Sequence, residues 1–592
     1  MPTAVAEWVE RVLDAERRGD LLVAFDLAER AHEEHPDDVW LTHRSVLALA
    51  RAGSTDEARR RFAALGLEAT DSDDVQALGA RIAKDQALAA APGSRRVLAE
   101  RAAGMYRRIF ERTGDYYPCV NAATMMLVAG RTAQSTALAG AALAAVQADP
   151  TNSYYRAASE AEARLLLGQV EPARRALQVA AGLHAGDYAA LASTRRQLRL
   201  ICGEAAIGED VLDEIAGPLV VHYCGHRITG PGGAFPAESE PSVAAQIAAL
   251  IDREPPGFAY GALANGADIL LAEAMLAAGA EVHVVLPYRR EEFVRHSVAD
   301  AGAQWTGRFE RCLSRAASVT YATEGSYLGD DVLYRYGAEL AMGLALLRAR
   351  YLDSPVRQIA LWDGRAARGD AGTALDVATW RQTGRPVEVL ELAGGSENVD
   401  ANPGPAGRSL GREVKALLFA DIQGFSRLSD EQLAVFAQHV LRALATTLDR
   451  YAASVRHRNT WGDALYVVLD DASTAAACAL DLQRAIRNLD LEALGLPAHL
   501  ALRLGAHIGP VFSVNEPVLG LEVFMGTHVS MTARIEPVTP PGCVYATESF
   551  AAALALRDSR FRFDYVGRMP GAKGYGRLRM YRLRPTDPPG TG

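Results

Sequence analysis

Leu417-Leu418-Phe419-Ala420-Asp421-Ile422-Gln423-Gly424-Phe425-Ser426 is an apolar run that stops at a carboxylate. Such a run reads as a buried strand delivering Asp421 at its end, and Gly424 lets the backbone turn sharply there. Ser429, with Gln432 three residues on, has the capping-box pattern that starts a helix. Further along, Asn459-Thr460-Trp461-Gly462-Asp463-Ala464-Leu465 sets Gly462-Asp463 as a two-residue hairpin turn before a strand over 464–469. Two carboxylates therefore sit at strand ends, one followed by a loop and a helix N-terminus. The pair suits Mg²⁺ and the phosphates of a nucleotide. Taken singly, Asp421 could be only a helix cap and Asp463 only a turn residue.

Around this stretch, residues 413–585 alternate strands and helices in an α+β, ferredoxin-like order. Three more patterns follow in sequence. They are Arg503-Leu504-Gly505-Ala506-His507-Ile508-Gly509-Pro510, then Gly526-x-x-Val529-x-x-x-Ala533-Arg534, then Ala572-Lys573-Gly574-Tyr575-Gly576. With F-A-D-I-x-G-F-S and the G-D hairpin, the segment resembles the class III nucleotidyl cyclases, the adenylate/guanylate cyclase catalytic domain. That resemblance implies attack of a nucleoside triphosphate's 3′-hydroxyl on its own α-phosphate, giving a 3′,5′-cyclic mononucleotide and pyrophosphate. It implies two Mg²⁺ or Mn²⁺ ions per site, held by Asp421, Ile422 and Asp463. It gives Arg534 the charge at the α-phosphate, Arg503 and Lys573 the β- and γ-phosphates, and Ser530 a place beside Arg534. Gly424, Phe425, Ser426, Asn459 and Val523 would surround the nucleotide. In the family the site lies between two catalytic domains, so a chain with one such domain implies a head-to-tail homodimer.

The departures concern the base. Asn459 stands where adenylate cyclases carry lysine, Val523 occupies the second base-reading position, and Ser530 replaces an asparagine. A site without the polar partners a base demands cannot select that base strongly. ATP, GTP, CTP and UTP all stay open, pyrimidine cyclases of antiphage signalling being one branch. The alternative from another class is a degenerate domain that binds nucleotide without turnover and acts as a signalling scaffold.

Upstream, residues 217–392 alternate strands (219–223, 281–286, 358–362, 387–390) with helices. This predicts βαβ units and a doubly wound parallel sheet. Glycine loops at Gly225, Gly266 and Gly372, each before a helix, would present backbone N–H groups to phosphate, although tight turns alone also explain them. The G-H-R after the first strand, the G-A-D-I-L-L-A-E-A helix start and the late W-D-G and G-T loops resemble the SLOG superfamily of Rossmann-like domains. That resemblance implies a nucleotide-derived ligand near Gly225, Arg227, Gly266, Asp268, Gly372 and Thr373, with Asp268 otherwise a helix cap. Residues 393–411 are rich in Gly, Pro, Ser and Asn and read as a linker.

Residues 1–205 read as helices throughout. Gly19 and Gly53 lie 34 residues apart, as do Ala24 and Ala58, with weaker copies at Gly130 and at Gly168–Ala173. The pattern resembles the tetratricopeptide repeat; an irregular helical bundle is the plainer reading. Either offers a groove for a protein partner or a neighbouring domain.

A chain of 592 residues needs several cores, and 49% hydrophobic with 23% charged residues is ordinary for folded protein. A net charge of -10 argues against coating nucleic acid. No run reaches the ~18 apolar residues of a membrane span, and the N-terminus has no signal-peptide pattern. Six cysteines without C-x-x-C spacing fit reduced thiols and exclude a zinc ribbon. The whole reads as a cytoplasmic cyclase regulated by two upstream domains.

Overall fold

The computed structural model describes residues 4–229, 234–367, 369–392, 411–518, 520–571 and 576–586. The expected linker falls almost wholly in 393–410, and Lys573 in 572–575; both lie outside the described residues.

The N-terminal part is a run of antiparallel helices from Val5–Arg17 to Tyr188–Ala205. Gly19, Gly53, Gly130 and Gly168 each follow a helix with positive φ (76°, 82°, 77° and 72°), so the 34-residue punctuation marks real helix ends. Ala24, Ala58 and Ala173 are completely buried, which lets successive helices approach closely. Tyr116-Tyr117-Pro118 opens a helix, Tyr116–Val128, capped by Asp115.

The central part holds six parallel strands: β1 (Val220–Gly225), β2 (Phe258–Gly261), β3 (Glu281–Leu286), β4 (Ser318–Tyr321), β5 (Val356–Trp362) and β6 (Val387–Glu391). Their order is β4-β3-β2-β1-β5-β6. Val221 and Tyr223 face the helices Glu240–Arg253 and Ala267–Ala277, whereas Val220 faces Val332–Leu352. Helices thus cover both faces, as a doubly wound sheet requires.

The C-terminal part is one sheet of β7 (Arg412–Gln423), β8 (Val455–Trp461), β9 (Ala464–Leu469), β10 (Ala501–Glu516), β11 (Leu521–Met525), β12 (Val544–Thr547), β13 (Phe561–Pro570) and β14 (Arg577–Pro585). Its order is β13-β14-β12-β10-β7-β9-β8, with β11 paired to β10. The stretch β10-β7-β9-β8 is the ferredoxin-like core expected of the sequence. Ser429 and Gln432 form the full capping box. The helix that follows contains a π-helical turn, Phe436–Leu441.

The three parts share one apolar cluster, with Phe25 and Val46 from the repeats, Leu340 and Leu347 from Val332–Leu352, and Leu418, Phe550 and Tyr565 from the C-terminal part. Helix Val332–Leu352 crosses helix Glu548–Arg557 at Gly343, where an added Cβ would lie 2.3 Å from the Ala552 carbonyl oxygen. Arg412, at the start of β7, is buried against Asp330 with Nε–Oδ2 and Nη2–Oδ1 distances of 2.5 and 2.7 Å. Tyr336 donates its hydroxyl to the Ile508 carbonyl at 2.9 Å. Gly343→Val forces these helices apart, and urea unfolding should report a loss of about 1–3 kcal/mol. An unchanged midpoint would show the crossing to be looser than described.

Candidate active site

Side chains alternate along β7, so Leu418, Ala420 and Ile422 point into the helix-covered core while Leu417, Phe419 and Asp421 face the other way. Phe419 stacks on Tyr466 of β9 at 4.5 Å, fixing the sheet surface beside Asp421. Asp421 lies directly opposite Arg503 of β10. Arg503 donates to Asp421 Oδ2 from Nε at 3.0 Å and from Nη2 at 2.5 Å, and its Nε lies 2.5 Å from Glu536 Oε1.

Asp463 sits in the two-residue turn between β8 and β9. Burial, and then the hydrogen-bonded Asp421 carboxylate, raise its pKa to about 6. Glu536 is raised to about 7, chiefly by burial, with Arg503 opposing and the two aspartates adding to the rise. Three carboxylates therefore crowd round one guanidinium. Among the described residues no group of three or more His, Cys, Asp or Glu side chains is arranged to hold a metal. Mg²⁺ needs only one or two carboxylates beside substrate phosphates, and the Asp421–Asp463 pair fits that need. The crowding itself signals a place where added positive charge is stabilising. Ile422 is 1% exposed on the opposite face, so only its main chain is free to contribute.

Gly424 has φ 94°, and an added Cβ would meet His499 and Leu500 at 3.1 Å. Phe425 packs on Phe436 at 4.9 Å and lies under Gly462, tying the two aspartate loops together. Ser426 is exposed beside them. Asn459 Oδ1 accepts the Thr460 N–H at 2.8 Å. Val523 lies on β11 opposite Val514. Ser530 and Arg534 share helix Thr527–Ile535 one turn apart. Among the described residues, neither makes a hydrogen bond or ion pair with Asp421 or Asp463, and Arg534 has no polar partner at all. The chain thus brings together Asp421, Asp463 and Arg503, and leaves Ser530 and Arg534 unengaged. Glu536 escapes a sequence reading; its one signal is its place just after the helix that carries Arg534.

In the central part the strand order reverses between β1 and β5, which opens a crevice at their C-terminal ends. A cavity of about 660 Å³ fills it, lined by Gly225, Arg227, Asp268, Gly372 and Thr373. Gly266, expected with them, is not in the lining. Its φ is 88° and an added Cβ would lie 2.6 Å from the Ile228 nitrogen, so it serves the close approach of two loops. Arg227 is ion-paired with Asp300. His226 lies 3.0 Å from Asp363, the two coming from the G-H-R and W-D-G patterns; Asp376 faces the same cavity and does not stand out from sequence spacing. Burial raises Asp268 to about 7 against the Ala264 and Gly225 N–H groups. Burial and then the Asp268 carboxylate raise Asp376 to about 8.

Residues 412–585 match the family of the adenylate and guanylate cyclase catalytic domain, and residues 20–126 match the tetratricopeptide repeats-sensor family. No curated protein matches the chain. One similar solved structure is the guanylate cyclase domain of RhGC from Catenaria anguillulae in complex with GTP, at 22% identity and TM-score 0.26, over 29% of this chain and 97% of that one. Another is the adenylyl cyclase CyaB from P. aeruginosa, at 17% identity and TM-score 0.27, over 29% of this chain and 94% of that one. The family matches place an adenylate/guanylate cyclase catalytic domain at residues 412–585 and tetratricopeptide-like repeats at 20–126. Among the described residues no helix is long and apolar enough to cross a membrane.

The raised carboxylates of the crevice make a pH prediction. Asp376 binds a proton more tightly folded than unfolded, so its contribution is present below the unfolded pKa and lost as pH rises through about 8. Asp376→Asn should therefore raise the melting temperature at pH 9, with the gain shrinking toward pH 5. Equal melting at both pH values would show the carboxylate to be solvated.

Proposed function

We propose that the C-terminal domain cyclises a nucleoside triphosphate in a shared site formed by two copies of this chain. The observation that carries the reading is the split set: Asp421, Asp463 and Arg503 gathered at one place, and Arg534 unpaired elsewhere. Arg534 and Ser530 of one copy would then face the aspartates of the other. Support for a partner at this face comes from Trp461, Leu521 and Met525, which stay 69%, 43% and 45% exposed on the β8–β9 and β10–β11 hairpins.

In the reaction the 3′-oxygen forms a bond to the α-phosphorus, the bond from that phosphorus to the bridging oxygen breaks, and pyrophosphate leaves. The 3′-hydroxyl proton passes to solvent. Divalent metal ions, when bound, supply Lewis acidity at the phosphoryl oxygens and a less basic 3′-oxygen. Asp421 and Asp463 would hold them, with the Ile422 main chain. Arg534 presents a guanidinium to charge developing at the α-phosphate. Arg503 trades its contact with Asp421 for the β- and γ-phosphates, the role the family pattern gives Lys573 as well. Ser530 hydrogen-bonds near the ribose or phosphate.

The central domain would regulate this site through a nucleotide-derived ligand in the β1–β5 crevice. Support for that lies in Val332–Leu352. Tyr334 and Gly337 near its start line the crevice, while Tyr336 touches β10. Which base is cyclised is a choice among ATP, GTP, CTP and UTP that Asn459 and Val523 leave to experiment.

Incubated with each triphosphate and Mg²⁺ or Mn²⁺, the protein should release a cyclic mononucleotide of matching mass from at least one. Asp421→Ala and Asp463→Ala should abolish this, and Arg534→Ala should slow it about 10²–10³-fold. Mixing the Asp421→Ala and Arg534→Ala proteins should restore about a quarter of the activity, since mixed pairs rebuild one of two sites. Absence of product from all four triphosphates leaves the scaffold reading. Product without restoration on mixing defeats the shared site.

A further inference from the structure

The repeats, the end of helix Val332–Leu352 and strands β13 and β14 enclose a cavity of about 780 Å³, apart from both sites described above. Six basic side chains line it: Arg81, Lys84, Arg196, Arg350, Arg562 and Arg584. It has three carboxylates, and each is already used. Asp56 and Asp564 both pair with Arg584 at 2.5 Å, and Asp85 lies 3.8 Å from Arg81.

Four cations, Lys84, Arg196, Arg350 and Arg562, make no direct ion pair with a carboxylate among the described residues. Lys84 donates to the Asn121 side-chain oxygen at 2.9 Å and to Gln197. Arg196 donates to the carbonyls of Arg51 at 2.6 Å and Arg350 at 3.4 Å, where two helices end. Asp85 and the buried Glu162 lie near enough to Lys84, and Asp85 and Asp353 near enough to Arg196, to offset part of their charge without pairing with them directly. The guanidinium groups of Arg350 and Arg562 make no hydrogen bond or ion pair among the described residues. Burial, with Arg81 nearby, pushes Arg196 down to about 10, and burial pushes Lys84 down to about 8. Arg350 is lowered by burial, with Arg562 among the further causes. Ser193 adds a buried hydroxyl without a partner.

Concentrated like charge in a partly enclosed space is destabilising unless an anion joins it. The volume lies within the usual range for small-molecule sites. Arginine forks match phosphate oxygens in pairs, and four cations call for more than one negative charge. We propose that this junction is a binding site for a phosphate-bearing small molecule, held by Lys84, Arg196, Arg350 and Arg562. Such a ligand bridges the repeats to the cyclase sheet, since Lys84 and Arg196 come from one and Arg562 from the other. The inference does not rest on the cyclase being active.

The test is calorimetric titration of the full chain, with divalent metals chelated, against inorganic phosphate, inorganic pyrophosphate and a nucleoside triphosphate in turn. At least one should bind saturably. Charge reversal of both arginines, Arg350→Glu with Arg562→Glu, should weaken that binding by at least about tenfold. Asp421→Asn with Asp463→Asn should leave it unchanged, which separates this site from the cyclase site. The three ligands distinguish a bare phosphate site from one that needs a diphosphate or a nucleoside. If the doubly reversed protein fails to fold, Arg562→Gln alone should weaken binding in the same direction. No saturable binding of any ligand up to millimolar concentration, or binding indifferent to these changes, overturns the proposal.

Discussion

Helix Val332–Leu352 can lie against the helix Glu548–Arg557 only because residue 343 has no side chain. On one side it covers β1 and β2 through Ala345, Ala349 and Leu352. On the other it joins the apolar cluster that the repeats and the cyclase domain share. A helix so placed has little face to give to water, and three domains lose much of their common core if it shifts. The buried Arg412–Asp330 pair adds direction to this packing. Breaking one partner of such a pair strands a charge in the interior, so the start of β7 is held to one place on the central domain.

The same burial explains what the sequence reveals and what it hides. β7, the Gly462-Asp463 hairpin and the β10-β7-β9-β8 core announce themselves, because strands alternate and turns carry glycine at fixed places. The glycines of the repeats do so too, since Gly19 and Gly53 close helices in a conformation other residues avoid. Val332–Leu352 gives no such sign. It is apolar on nearly every side, so the period that marks a surface helix is missing. β11 is equally quiet, being a short partner to a strand already long.

At the cyclase site, sequence spacing indicates which carboxylates end strands. It does not indicate that Arg503 lies across the sheet on Asp421, because that pairing depends on register between strands 82 residues apart. Glu536 and Asp376 are hidden for a related reason. Each becomes notable only when folding buries it beside another carboxylate. Gly266 shows the converse: its glycine looks like a ligand loop, yet the space it saves is taken by backbone.

The two edges of the C-terminal sheet are treated differently. At the β13 edge a bulge between Tyr565 and Gly567 turns the strand toward the repeats. There the Tyr565 N–H is taken by Ser54 Oγ at 2.7 Å, its hydroxyl reaches Asp26 at 2.7 Å, and its ring meets Phe25 edge-on at 5.7 Å. The repeats thus cover an edge that would otherwise attract other strands. The opposite edge, β8, ends in exposed Trp461 beside Asp463. The repeats therefore dock at the edge away from the aspartates. Between the repeats and the aspartates lie the sheet and helix Val332–Leu352. The contact from Tyr336 to β10 and the Arg412 anchor on β7 lie there, on the two strands that carry Arg503 and Asp421.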